Sequence, residues 1–339
     1  MLRFVSMPLL LSGWVVPMPS FFTIRLHSEK IIGWLQRMSM SLLVVGSVAF
    51  DCLETPSGKR DHVLGGAASY FSLAASVLTD IQLVGVVGED FTEFYLNKFS
   101  GRRIDLGGLV KQPGKTFVWK GRYGSNMNEA ETLDTQLGVF GDFDPVLPPH
   151  FQKADYLFLA NILPRLQTRV MDLMAARPKW IGLDTMNLWI NTAREDLLAV
   201  LKRVDILLIN NKELELLVQD STLSLAASYE RVAALGPKIV VVKKGNQGAE
   251  LFSPMGQLHM DVHPVDQVVD PTGAGDSFAA GFLGYLAQSG APLTDFQALK
   301  TALMYANAMA SFTVEKFGPE SLETLTSDQL LSRVKFYQT

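Results

Sequence analysis

From residue 41 onward the chain alternates between two kinds of hydrophobic pattern. Short apolar, partly β-branched runs, SLLVVGSVAFD, IQLVGVVG, YLFLAN, WIGLDT, DILLIN and KIVVVKKG, each stop at glycine or a polar residue. Strands buried on both faces of a parallel sheet have this signature. Between most of them lie stretches such as LPRLQTRVMDLMAA and SLAASYERVAAL, whose apolar residues recur at helical spacing. The alternation predicts an α/β fold with a mainly parallel central sheet flanked by helices. Ligands of such sheets gather at the carboxyl ends of the strands. The polar residues closing the runs are therefore of interest: Asp51, Asn161, Asp184, Asn187, Asn210 and Glu213.

Two stretches break the alternation. LETPSGKRDHVLGG and LVKQPGKTFVWKGRYG are richer in charge and turn residues, and TFVWKGRY has a partly alternating, β-prone pattern. We expect them to pair as a small antiparallel β lid over the strand ends, from segments near 53–64 and 106–124. No repeat or linker divides residues 41–339, which are expected to form one domain. The first forty residues differ. MPLLLSGWVVPMPSFF is interrupted by Pro17 and Pro19, and it is shorter than the roughly 20 apolar residues that span a bilayer. Arg3 before it would suit a signal peptide, but no small-residue cleavage site precedes the strand near Ser41. Residues 1–40 read as a disordered or misassigned leader, with translation starting at Met38 or Met40; a membrane anchor is the alternative.

Composition narrows the partners. The 339 residues are 48% hydrophobic, enough for a large core. A net charge of -4 gives no cationic excess for nucleic acid or an anionic membrane. Any phosphate must be held locally. Cys52 is the only cysteine, which rules out an internal disulfide and a cysteine metal cluster and fits a cytoplasmic protein.

The stretch VVDPTGAGDSFAAGF, residues 268–282, carries the most chemistry. It reads as a glycine-rich turn running into a helix, whose unsatisfied amides and positive dipole end suit an anion. A first-turn acid there is by itself a good cap, worth about 1 kcal/mol. Phosphoryl transfer explains more of the pattern: the moving group needs electrostatic stabilisation, and the acceptor hydroxyl needs a carboxylate to take its proton. The amides of Gly273, Ala274 and Gly275 supply the first and Asp276 the second.

This stretch resembles the C-terminal motif of the PfkB or ribokinase family of carbohydrate and nucleoside kinases, with Pro271 between Asp270 and TGAGD. GGAASYFSLAASVLTDIQLVGVVGEDF is similar to the family's glycine pair, helix and strand, NNKE at 210–213 to its N-x-x-E element, and KKGNQG to its nucleotide-side glycine loop. ALMYANAMASFTVEKFG is similar to the helix and loop beside the adenine. The resemblance covers about residues 41–339 and implies a ribokinase-like fold and ATP-dependent phosphorylation of a hydroxyl on a small sugar or nucleoside-like substrate. It implies Asp276 as general base, with Gly273, Ala274 and Gly275 as anion hole, and Asn210 and Glu213 ordering a hydrated Mg²⁺. Lys243, Gly245, Gly248, Thr272, Asn307 and Gly318 would meet the nucleotide. Asp51, Gly65 and Gly66 would hold substrate hydroxyls, and Asp270 with Thr272 match a potassium site of cation-dependent relatives. LANILPRLQ and LDTMNLWI resemble a less characterised bacterial subgroup, which adds Asn161 and Asn187 as substrate contacts, and some relatives of the family imply the lid as a surface for homodimerisation.

One departure is plain: many relatives carry asparagine four residues after the second glycine, and this chain has Tyr70. That aromatic either stacks on a substrate ring or fills space, and the substrate stays open. A non-catalytic ligand-binding or regulatory relative of the same fold is the rival reading, which intact Asp276 and the intact glycine turn disfavour. Other motifs carry less. GKT at 114–116 has the end of a P-loop but Leu109 where its first glycine belongs, and Phe278 breaks a G-x-G-x-x-G. HMDVH puts His259, Asp261 and His263 on one strand face, which an exposed polar face explains as well as a metal would. Trp119, Trp180 and Trp189 read as packing residues, Trp119 being the one placed to touch a ring.

Overall fold

The computed structural model describes residues 40–127 and 129–338. The expectation of a leader over residues 1–40 falls almost wholly outside them; Met40, the first described, is anchored where its carbonyl accepts from Thr79 Oγ1 at 2.9 Å.

Nine strands form the main sheet: β1 Ser41–Val45, β4 Asp80–Val87, β5 Ile104–Lys111, β8 Tyr156–Leu159, β9 Trp180–Asp184, β10 Ile206–Asn210, β11 Ile239–Lys243, β12 Ala249–Ser253 and β13 Gly256–Met260. Their order is β13-β12-β11-β10-β9-β8-β1-β4-β5. From β11 to β5 all neighbours are parallel, and β12 and β13 add an antiparallel edge. Period-two alternation divides the core between the two faces. Leu42 and Val44 of β1 pack into one apolar cluster, Leu43 and Val45 into the other.

Helices cover both faces. The first cluster takes up α1 Ala67–Ala75, α6 Ala274–Ser289 and α7 Phe296–Thr313 through Phe71, Phe282 and Leu303. The second takes up α2 Pro164–Leu173, α3 Arg194–Leu201, α4 Asn211–Val218 and α5 Leu225–Ala233 through Val170, Leu197, Leu214 and Val232. Strand order reverses at β1, with β8 on one side and β4 on the other, the kind of switch point where open α/β sheets leave a crevice.

A second sheet of four strands has the order β3-β2-β6-β7, from β2 Ala49–Thr55, β3 Gly58–Gly65, β6 Phe117–Tyr123 and β7 Ala130–Gln136. It differs from expectation in two ways. Residues 106–111 belong to β5 and hydrogen-bond to β4 as the edge of the main sheet, so they are not part of the small one. The small sheet is mixed, because β2 and β6 run parallel. Its fourth strand, AETLDTQ, is exposed along nearly its whole length and lacks the apolar alternation that marks strands in a sequence.

Candidate active site

Three neighbouring strands end on chemically useful residues: β9 on Asp184, β10 on Asn210 and β11 on Lys243. The apolar runs fix this, since each strand stops where its apolar residues give out. Lys243 Nζ donates to both oxygens of Asp184, at 3.0 and 3.2 Å. The pair is largely buried, with 17% and 7% of the two side chains exposed. Burial opposes the Lys243 charge, but Asp184 and Glu213 outweigh it and hold the ammonium above its ordinary range.

Facing Lys243 is the start of α6. Gly273 adopts a left-handed conformation, φ 75°, where only glycine is comfortable. A β-carbon there would also lie 2.2 Å from the Tyr70 ring. A β-carbon on Gly275 would sit 3.3 Å from Lys243 Nζ. Ala274 N is already taken, donating to Pro271 O at 3.1 Å. Among the described residues, Gly273 N and Gly275 N have no acceptor, so the expected trio of anion-binding amides narrows to these two. Asp276 follows in the first turn. Its carboxyl is pushed up to about 7 by burial first and by the Asp184 charge second, with Lys243 pulling the other way.

The small sheet supplies the opposite side. Asp51, buried on β2, accepts from Tyr70 Oη at 3.4 Å. A β-carbon on Gly65 would overlap the Asp51 carboxylate at 2.1 Å, so this glycine makes room for the acid. A β-carbon on Gly66, φ 88°, would lie 2.5 Å from Ser47 O. Burial, then the charges of Asp270 and Asp276, push the Asp51 carboxyl up to about 8. Asp270 is fully buried and accepts from Thr272 N at 3.0 Å and Gly318 N at 2.8 Å, stapling the anion-binding turn to the loop after α7. Tyr123 of β6 reaches the same turn, its Oη accepting from Thr272 Oγ1 at 3.2 Å.

Acid, lysine and open amides thus converge at the carboxyl ends of the parallel strands, and the sequence model of the pfkB family carbohydrate kinases matches residues 40–325. The chain belongs to this family. It is a sugar or nucleoside kinase with the ribokinase-like fold. It is 27% identical over 266 residues to a cytidine kinase of Thermococcus kodakarensis, covering 76% of this chain and 91% of that one. To an ATP-dependent ribose-1-phosphate kinase of Halopiger xanaduensis it is 29% identical over 270 residues, covering 77% and 83%. In fold it resembles Arabidopsis thaliana ribokinase complexed with ribose and ATP, with a TM-score of 0.70, 20% identity and coverage of 88% and 100%.

In this pfkB kinase the remaining expected residues fall into two groups. Asn210 and Glu213 form a reciprocal capping box on α4: Asn210 Oδ1 accepts from Glu213 N, and Glu213 Oε2 accepts from Asn210 N, both at 2.9 Å. That leaves the other Glu213 oxygen for a ligand, on a carboxyl raised to about 7 mainly by burial. Gly245 and Gly248 bracket a tight turn at φ 58° and 77°, closed by Lys244 N donating to Gly248 O at 2.8 Å. The second group makes protein contacts of its own. Asn307 is buried and donates to Leu303 O of its own helix. Asn161 is occupied by the Trp189 indole N–H at 2.8 Å and by Met186 Sδ. Asn187 is exposed and accepts from the adjacent Leu188 N. His259 pairs with Glu250 and Asp261. Among the described residues, no three His, Cys, Asp or Glu side chains group to hold a metal.

Two participants were absent from the expected site, Asp184 and Tyr123. Asp184 carried a signal, as the acid closing an apolar run. Tyr123 carried none, since its role depends on which face of β6 meets the turn.

Proposed function

We propose that the protein transfers the γ-phosphoryl group of ATP to a hydroxyl of a small sugar or nucleoside-like substrate, with Asp276 as general base. The observation that carries this reading is the junction at the start of α6, where a carboxyl raised to about 7 stands beside two open amides and the Lys243 ammonium. A base with a pKa near the working pH combines a useful deprotonated fraction with driving force for proton transfer. Asp276 takes the acceptor proton, Gly273 N and Gly275 N meet the charge on the moving group, and Lys243 balances the phosphates. Asp51 holds a substrate hydroxyl on the far side, supported by its burial beside Tyr70.

The site suits magnesium arriving with ATP, because that ion keeps several waters and leans on phosphates, needing only one or two protein oxygens. Asn210 and the uncommitted Glu213 oxygen would order its water shell, and when bound it supplies charge neutralisation between the phosphates. Gly245, Gly248, Thr272, Asn307 and Gly318 would border the nucleotide. Asp270 and Thr272 are the potassium candidates, although both Asp270 oxygens already serve backbone amides. The small sheet serves as the lid, and its exposed edge β7 is the surface for a homodimer. The buried, unpaired Cys52 supports a cytoplasmic setting. Release of ADP from ATP and Mg²⁺ across a panel of sugars, polyols and nucleosides tests the reading; tight binding without ADP would favour a non-catalytic relative.

A further inference from the structure

The inner face of the small sheet can be read from its pairing. Asp51 and Trp119 are register partners in the parallel β2–β6 pair, so their side chains leave the sheet on the same side. Trp119, Gly121 and Tyr123 alternate along β6 and share that side. It faces the anion-binding turn, because Tyr123 Oη meets Thr272 and Thr55 of β2 donates to Val269 O at 2.9 Å. Trp119 therefore stands beside the hydroxyl-binding acid on the substrate side.

The indole is held flat there. A β-carbon on Gly121 would strike Cη2, Cζ2 and Cζ3 of Trp119 at 2.1, 2.6 and 2.6 Å, so the six-membered ring covers this glycine. The indole N–H is already used, donating to Thr132 Oγ1 at 3.2 Å. What the half-exposed ring still offers is a π face.

We infer that Trp119 is the platform on which a planar heteroaromatic ring of the substrate stacks, so that the acceptor is a nucleoside rather than a free sugar. This rests on the phosphoryl-transfer reading above. Adjacent strands lie about 4.8 Å apart, which sets a carboxyl for hydroxyls and a flat apolar surface for a base side by side. A nucleoside has the same two parts, a polyhydroxylated ring joined to an aromatic one. A free sugar fills only the Asp51 half.

Two measurements on the full chain test this. With ATP and Mg²⁺, cytidine, uridine, adenosine and inosine are compared with ribose, fructose and glucose, for the native protein, Trp119→Ala and Trp119→Phe. Stacking of a base is worth enough to change binding by about tenfold or more. The best nucleoside should exceed the best sugar in kcat/KM, and Trp119→Ala should lower that preference by about tenfold, mainly through KM, with Trp119→Phe restoring most of it. Binding of the same compounds to Asp276→Asn, with and without Trp119→Ala, reads the platform without turnover. If no compound yields ADP yet a nucleoside binds in a Trp119-dependent way, the kinase reading fails and the platform stands. A sugar preferred over every nucleoside, or nucleoside binding indifferent to Trp119→Ala, overturns the inference.

Discussion

Lys243 and Asp184 close the ends of two strands separated by β10 and meet as a buried ion pair at 3.0 Å. The acid holds the ammonium beside Gly275 and at the same time raises the carboxyl of Asp276. Asp184→Asn removes both effects. The rate should fall roughly tenfold or more as Lys243 loses its anchor. With a like charge gone, the Asp276 carboxyl should titrate at lower pH, and the acid limb of kcat/KM should shift to lower pH. A pH–rate profile of the variant checks this; a limb that stays in place would show that Asp184 does not act on Asp276.

The native pH profile has a definite sign. Asp276 must be deprotonated to accept a proton, and its carboxyl is raised to about 7. Between pH 5.5 and 8.5, values on the order of one unit or more to either side, kcat/KM should climb and then level. Steady-state kinetics at saturating Mg²⁺ and ATP checks it.

Asp51 carries a stability signature. Its carboxyl is raised from 3.8 to about 8, so the folded protein keeps a proton that the unfolded chain releases. Native-state stability should therefore fall with rising pH between these values. For the ligand-free protein the loss from pH 6 to 8 due to this group should be on the order of 2 kcal/mol. Asp51→Asn should lose less over that range. Urea unfolding at the two pH values measures it, and equal losses in both proteins would contradict the assignment.

Gly273 is constrained twice, by its φ of 75° and by the Tyr70 ring. Gly273→Ala should cost at least about 2 kcal/mol and greatly reduce turnover. Tyr70→Ala in the same chain should recover part of the stability, because it relieves the overlap but not the backbone strain. Thermal unfolding of the single and double variants separates the two contributions.

Much of the site was legible because strands buried on both faces end sharply. Asp184, Asn210 and Lys243 each close an apolar run, and the glycines around Asp276 stand at a strand-to-helix turn that few other patterns require. What was hidden depends on pairing. Lys243 and Asp184 are 59 residues apart, and nothing within either run says that β9 and β11 flank the same strand. Tyr70 was visible as an unusual aromatic, but its two contacts, the Asp51 carboxylate and the space above Gly273, come from a helix docking between two sheets. Residues 106–111 fall within the expected lid because LVKQPGK is rich in charge and turn residues, a composition that the half-exposed end of an edge strand shares with a lid.

The base assignment is the centre of the account, and Asp276→Asn tests it most directly. ADP release and phosphorylated product are measured together with the best acceptor, and ATP and acceptor binding are measured for both proteins. The account predicts turnover lower by about 10²- to 10⁴-fold with binding largely retained. Turnover equal to that of the native protein would contradict it.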